Sequence, residues 1–183
     1  MLYSPMWLAS QIVAGIALVI ISYGFLRREK TKTLFWLGIG FLVYVISAGL
    51  LLNWVGVAVV SIMAMQNFVY AYFEKRNIPY NTKLSFFTML FFIAINIIAI
   101  YFTIEWWFDW VIMTASIILV IATWAKGIHA IRFAEVLFTS AMTVNHVIFF
   151  NIVAILIEQI ILISIIVFYF RFFATRKHKD LQE

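Results

Sequence analysis

Four apolar blocks, cut apart by short polar breaks, govern what this chain can fold into. They run from Trp7 to Leu26, Leu34 to Phe73, Leu84 to Trp124 and Phe133 to Phe170. A helix needs roughly 20 residues to cross the hydrocarbon core of a bilayer, so the first block is one crossing and each of the others is about two. The chain therefore reads as one span followed by three helical hairpins, seven spans in all, with turns at Asn53-Trp54, at Glu105 to Asp109 and at Asn151. Short turns of this kind suit antiparallel neighbours in a bundle. A six-span alternative would stretch one block into a single helix of about 60 Å, too long for the membrane.

Composition agrees. Hydrophobic residues make up 66% of the 183 and charged residues 11%, against roughly 45–50% and 25% in average globular domains. A soluble protein of 21.3 kDa could not cover that much apolar surface. These figures exclude a disordered chain, and the lack of cysteine excludes a secreted disulfide scaffold. The first block is expected to be retained as a span: its basic cluster follows the apolar run, and no small-residue cleavage pattern is present.

The charges orient the bundle. Lysine and arginine fall as four at Arg27 to Lys32, three at Lys75, Arg76 and Lys83, two at Lys126 and Arg132, and four at Arg171 to Lys179. Seven spans put all of them on one side, leaving Glu105 and Asp109 on the other. By the positive-inside rule the N-terminus lies outside and the C-terminus in the cytoplasm. This also accounts for the pI of about 9.6 without a nucleic-acid partner. Trp7, Trp54, Trp106, Trp107 and Trp110 gather at the expected outer edge, as an interfacial aromatic belt should.

An internal repeat is also legible. Ile16 to Gly24 in span 1 resembles Ile117 to Ala125 in span 5, with four identical positions. Span 3 opens at Asn53 with Val55 two places on, and span 7 at Asn151 with Val153 two places on; both end in aromatic runs. The expected architecture is an all-α membrane protein with two parallel three-helix repeats, residues 7–73 and 106–171, joined by a linking helix at 84–103 and followed by a basic tail at 172–183.

Certain stretches carry a family resemblance. Gly127-x-x-x-Ile131-Arg132, Asn151-Ile152-x-Ala154-Ile155-x-x-Glu158 and Ile163-Ser164-Ile165-Ile166 to Arg171 resemble the C-terminal half of the bacterial YgjV-type inner-membrane protein family. Gln11-Ile12-x-x-Gly15-Ile16-Ala17-Leu18 with Ser22 resembles that family's first span, and Asn53 and Asn67 sit where the family tends to show asparagine. The resemblance implies a multi-pass protein of the cytoplasmic membrane and no particular activity. The 3 + 1 + 3 layout is similar to that of sugar-facilitator (SWEET-type) and nicotinamide-riboside (PnuC-type) transporters. Unlike the sugar facilitators, this chain has no Pro-Gln pair in span 1, and neither Pro5 nor Pro79 lies within a span.

Ionisable and amide groups inside a span are costly, so each is a functional candidate. Glu158 lies six residues beyond Ile152 in span 7, and His146 sits near the outer end of span 6. Antiparallel packing could bring the two within hydrogen-bonding reach, where they would share a proton. The functional reading is a proton relay or the polar anchor of a solute site. The competing readings are a static interhelical pair that fixes packing and interfacial solvation of Glu158. Gln66 and Asn67 in span 3, Asn96 in span 4 and Gln11 in span 1 complete the candidate solute or proton site, each also readable as interhelical glue. Gln11, Ser61, Thr114 and Ser116 could share an outer vestibule. Gln159 points about 100° from Glu158 and cannot serve the same site equally. Asn145 is expected to satisfy backbone beside His146 or cap the helix end. Asn53 and Asn151 read as turn residues, since asparagine tolerates left-handed backbone. Glu135 is expected at the start of span 6, where acid suits a helix N-terminus. Gly38, Gly40 and Gly49 should let span 2 approach a neighbour closely.

Missing motifs narrow the chemistry. There is no zinc-protease helix, no phosphate-cradling glycine loop and no nucleophile elbow. The expectation is a non-enzymatic protein without cofactor or metal. Its partners are the lipid bilayer and a small polar solute of unassigned identity; self-association is compatible and nucleic acid is not expected. Two functions from different classes fit: transport of that solute between the two bundles, or a membrane scaffold or sensor subunit that oligomerises or docks a cytoplasmic partner on its basic face.

Overall fold

The computed structural model describes residues 4–25, 29–124 and 128–179. Arg27, Arg28, Lys126, Gly127 and residues 180–183 of the basic tail lie outside the described residues, as do the side chains of 171–179. Lipid cannot satisfy a backbone N–H or C=O, so an apolar chain must close its own hydrogen bonds. Seven helices do this: α1 Pro5–Phe25, α2 Lys30–Leu50, α3 Trp54–Lys75, α4 Lys83–Thr103, α5 Asp109–Trp124, α6 Ile128–Ile148 and α7 Ile152–Lys179. No strand occurs among the described residues. Four of them, α1 to α4, are long and apolar enough to cross a bilayer; α5 is a shorter apolar helix of 16 residues, as is the apolar stretch Ile152–Val167 of α7.

Each helix packs on the next in sequence and α7 returns to α1, closing a ring. Within the first half α2 packs on both α1 and α3; within the second, α6 packs on both α5 and α7. Helix α4 bridges α3 and α5, which also touch directly. Small residues set the closest approaches. A Cβ added at Gly40 would lie 2.5 Å from Ile21 Cγ1 and 3.2 Å from its backbone nitrogen, and one at Gly38 would lie 2.9 Å from the Phe68 ring. Gly49 has only ordinary space around it, its nearest neighbour being Val57 at 3.9 Å, so close approach is confined to the first two glycines. The fully buried Ala14 and Ala17 line the same side of α1 as Ile21 in the common core with Leu37, Val59, Ile112, Phe138 and Met142.

The hairpin turns at Asn53 and Asn151 are built alike. Leu52 N–H bonds to Gly49 C=O and Asn53 N–H to Ala48 C=O; Phe150 N–H bonds to Val147 C=O and Asn151 N–H to His146 C=O. This is the Schellman arrangement, which closes the orphan carbonyls of a helix end through one left-handed residue. That residue is Leu52 (φ 57°) or Phe150 (φ 51°), not the asparagine expected to take it. Asn53 keeps φ −81° and caps α3, its Oδ1 accepting from Gly56 N–H at 2.9 Å. Asn151 caps α7 in the same way through Ala154 N–H at 3.2 Å. The reason is chemical: the amide oxygen satisfies an orphan N–H in the next helix, which leucine or phenylalanine cannot do.

Candidate functional site

The end of the bundle carrying these two turns is here the hairpin end; the opposite end, with Lys30, Lys75 and Lys83, is the basic end. The caps spend only the oxygens of Asn53 and Asn151. Their amide nitrogens reach across the molecule. Asn53 Nδ2 donates to Asn145 Oδ1 on α6 at 2.6 Å. Asn151 Nδ2 lies 3.4 Å from both Ser47 Oγ and Tyr44 Oη on α2. Ser47 and Asn145 each stand six residues before the turn asparagine of their own hairpin. The two halves thus exchange matching contacts. Ser10 on α1 extends the layer, its hydroxyl 2.9 Å from that of Ser47, and Gln11 Oε1 accepts from Val153 N–H in the first turn of α7 at 3.0 Å. Every one of these polar residues is buried. Together they seal the hairpin end.

Directly beneath the seal, Glu158 Oε1 stands 3.5 Å from His146 Nε2. Both side chains are buried, at 8% and 1% exposure for the residues. Tyr44 Oη approaches the same imidazole, 3.1 Å from Nε2, with the two rings edge to face at 5.6 Å. A hydroxyl, an imidazole and a carboxylate from α2, α6 and α7 therefore form one polar cluster, and the imidazole tautomer decides which atom donates.

From Glu158 a cavity of about 110 Å³ runs toward the basic end. Its polar wall consists of Gln66 and Asn67 from α3, Thr123 from α5, Glu135 and Thr139 from α6, and Lys30 from α2; Leu37, Phe41, Met63 and Ile161 supply much of the apolar wall. A second space of about 20 Å³ continues past Glu158 to Tyr44, Met142 and Ala154, and ends there. Six helices, all but α4, share the walls of these two spaces. Lys30 marks the mouth, its ammonium 2.6 Å from Glu74 and 2.5 Å from Tyr80 Oη; Tyr80 also bonds Glu74.

Of the six residues singled out from sequence, Glu158, Gln66 and Asn67 line the cavity and His146 backs Glu158. Gln11 belongs to the seal. Asn96 stands apart: its amide donates to Phe92 C=O at 2.8 Å and its oxygen accepts from Ser116 at 3.1 Å, joining α4 to α5. Ser116 is thereby occupied, and Thr114 bonds its own helix at Trp110 C=O while exposed, so neither shares a vestibule with Gln11. Gln159 faces outward.

Glu135 requires a correction. It does not open a helix: α6 begins at Ile128, two turns earlier, and Glu135 lies on the cavity wall. The sequence break at Lys126-Gly127 and Arg132 hid this, because helix continues through polar residues where apolar blocks stop. As an ionisable group within an apolar block, Glu135 carried the same signal that exposed Glu158. Tyr44, Ser10 and Ser47 carried none, since such residues are ordinary in apolar helices.

No curated protein and no solved structure matches the chain. A family model described as Imp-YgjV, bacterial inner membrane protein, matches residues 8–176 and so takes in all seven helices. The chain belongs to the Imp-YgjV family of bacterial inner membrane proteins.

Proposed function

We propose that the chain moves a small polar solute across the bacterial inner membrane by alternating access, without catalysis. The observation that carries this reading is a cavity walled by helices of both halves, blind at a polar seal and directed toward the basic end. All seven helices act as spans in this reading, with α1–α3 and α5–α7 as parallel repeats and α4 as the link. Support comes from the matching turns, from the exchanged contacts of Asn53 and Asn151, and from the packing: α1 meets α7 where α3 meets α5, as an exchange of halves requires. The excess of Lys and Arg at the basic end argues for a cytoplasmic mouth and an external N-terminus. Glu158, His146 and Tyr44 are then the polar contacts at the blind end and the groups able to hold a proton there.

Single cysteines at Met63 and Ile161, both on the cavity wall, test the reading in a chain that has no native cysteine. Inverted membrane vesicles should label at both positions with an impermeant thiol reagent, and intact cells should label slowly. Silence from both sides, with a control cysteine at Trp106 reacting well in cells, would make the polar groups packing elements and return the reading to a membrane scaffold.

A further inference from the structure

Acceptors dominate the cavity wall, and Gln66 and Thr139 are the two uncharged groups on it that can donate as well as accept. Asn67 Nδ2 donates to Met63 C=O at 2.8 Å; a backbone carbonyl only accepts, so the amide oxygen is the atom left over. Thr123 spends its hydroxyl proton on Leu119 C=O at 2.7 Å, leaving oxygen lone pairs. Glu135 and Glu158, when ionised, are acceptors alone. The one lysine on this wall, Lys30, lies at the mouth and is already held by Glu74 and Tyr80. Arg132, one turn before Glu135 and interacting with it electrostatically, is a cation already committed, and it lines a separate groove with Phe133 and Tyr169. A second observation is independent of the carboxylates. Gln66 is 5% exposed, lines the cavity, and makes no hydrogen bond to any described residue. A buried amide without a partner is costly unless something entering the cavity satisfies it.

We infer that this cavity takes a small cation carrying several N–H donors, a group of the ammonium or guanidinium class. The inference rests on the transport reading for its role and names the solute class of that same site. Donors on the ligand meet free oxygens of Asn67, Thr123 and Gln66, while its charge is balanced by Glu135 and Glu158. Charge-assisted hydrogen bonds of this sort are about twice as strong as neutral ones, and an anion would meet two carboxylates with no uncommitted cation on the wall. Size points the same way. A cavity of about 110 Å³ is well below the roughly 300–1,000 Å³ of sites that take drug-sized ligands, which suits a solute of few heavy atoms.

Three planar probes of similar size separate the possibilities: guanidinium, urea and nitrate. Their binding to the purified protein in detergent is measured by calorimetry, and their entry into proteoliposomes by radiolabel or ion electrode. Guanidinium should bind saturably and at least tenfold more tightly than urea or nitrate. Glu135→Gln and Glu158→Gln should each weaken guanidinium at least tenfold and leave urea unchanged. Equal binding of urea or nitrate, or guanidinium binding indifferent to both substitutions, overturns the inference. The selectivity of the unaltered protein decides the matter even if a variant fails to fold. Guanidinium binding without flux keeps the cation site and overturns transport. Flux of urea or nitrate without guanidinium binding does the reverse, and neither binding nor flux overturns both.

Discussion

Replacing Asn145 with alanine should loosen the hairpin end while leaving every helix cap in place. Asn145 accepts the amide of Asn53 at 2.6 Å, and both residues are 2% exposed. Interhelical hydrogen bonds in membrane proteins are worth about 0.6 kcal/mol on average and up to ~1.7 kcal/mol. A short, buried bond belongs near the top of that range, and the orphaned Asn53 N–H adds a desolvation cost. The closed state should therefore lose about 1–2 kcal/mol, which is a factor of roughly 5–30 in an equilibrium between two states. The assay is the rate at which a cysteine at Ile161 reacts with an impermeant thiol reagent in intact cells, expected to rise by about that factor. Asn53→Ser keeps an oxygen able to cap α3 but has no amide to donate. It should have a similar effect, and the double variant should add little to either single one. An unchanged external rate, together with a lowered melting temperature, would refute the reasoning: the bond would then persist in every state the protein visits, as static packing.

Three further outcomes follow from the same geometry. Gly40→Ala should destabilise the folded protein by about 1–3 kcal/mol, because the added methyl meets Ile21 at side chain and backbone; Gly15→Ala, with nothing within 4 Å, should be neutral or stabilising by up to ~1 kcal/mol. Thermal unfolding in detergent reads both. Leu52→Gly should raise stability by about 1 kcal/mol in the same assay, since the residue sits at φ 57° with its side chain exposed; a loss would mean that the side chain anchors the turn. Lys30→Ala should cost no more than about 1 kcal/mol, because its ion pair is partly solvated at 41% and 25% exposure, and the cost should shrink at high salt.

The apolar blocks placed the helices well because crossing a membrane is a property summed over some twenty residues, and single polar residues barely disturb the sum. Turns were legible to the residue at Asn53 and Asn151, yet their backbone roles were not. The left-handed position fell to Leu52 and Phe150, which no local preference marks, because the neighbouring asparagines were needed as caps and crosslinks. Glu158 and His146 stood out as expensive groups in an apolar setting, and antiparallel neighbours one turn apart leave them little choice but to meet. Asn96 looked equivalent and was not, since it faces Ser116.

That contrast marks the boundary between the two kinds of information. From the sequence alone came the helix count, the basic end and the candidate polar residues, because each depends on the identity of a residue and its distance along the chain. Only the tertiary structure decided which faces converge: Gln66, Glu135 and Glu158 on one cavity, Gln11 and Ser47 in the seal, Asn96 elsewhere. In a soluble helix the polar stripe shows which side faces outward. Here lipid-facing and core-facing surfaces are both apolar, so the rotation of each helix about its axis is written in packing, through close approaches such as Gly40 against Ile21, and not in polarity.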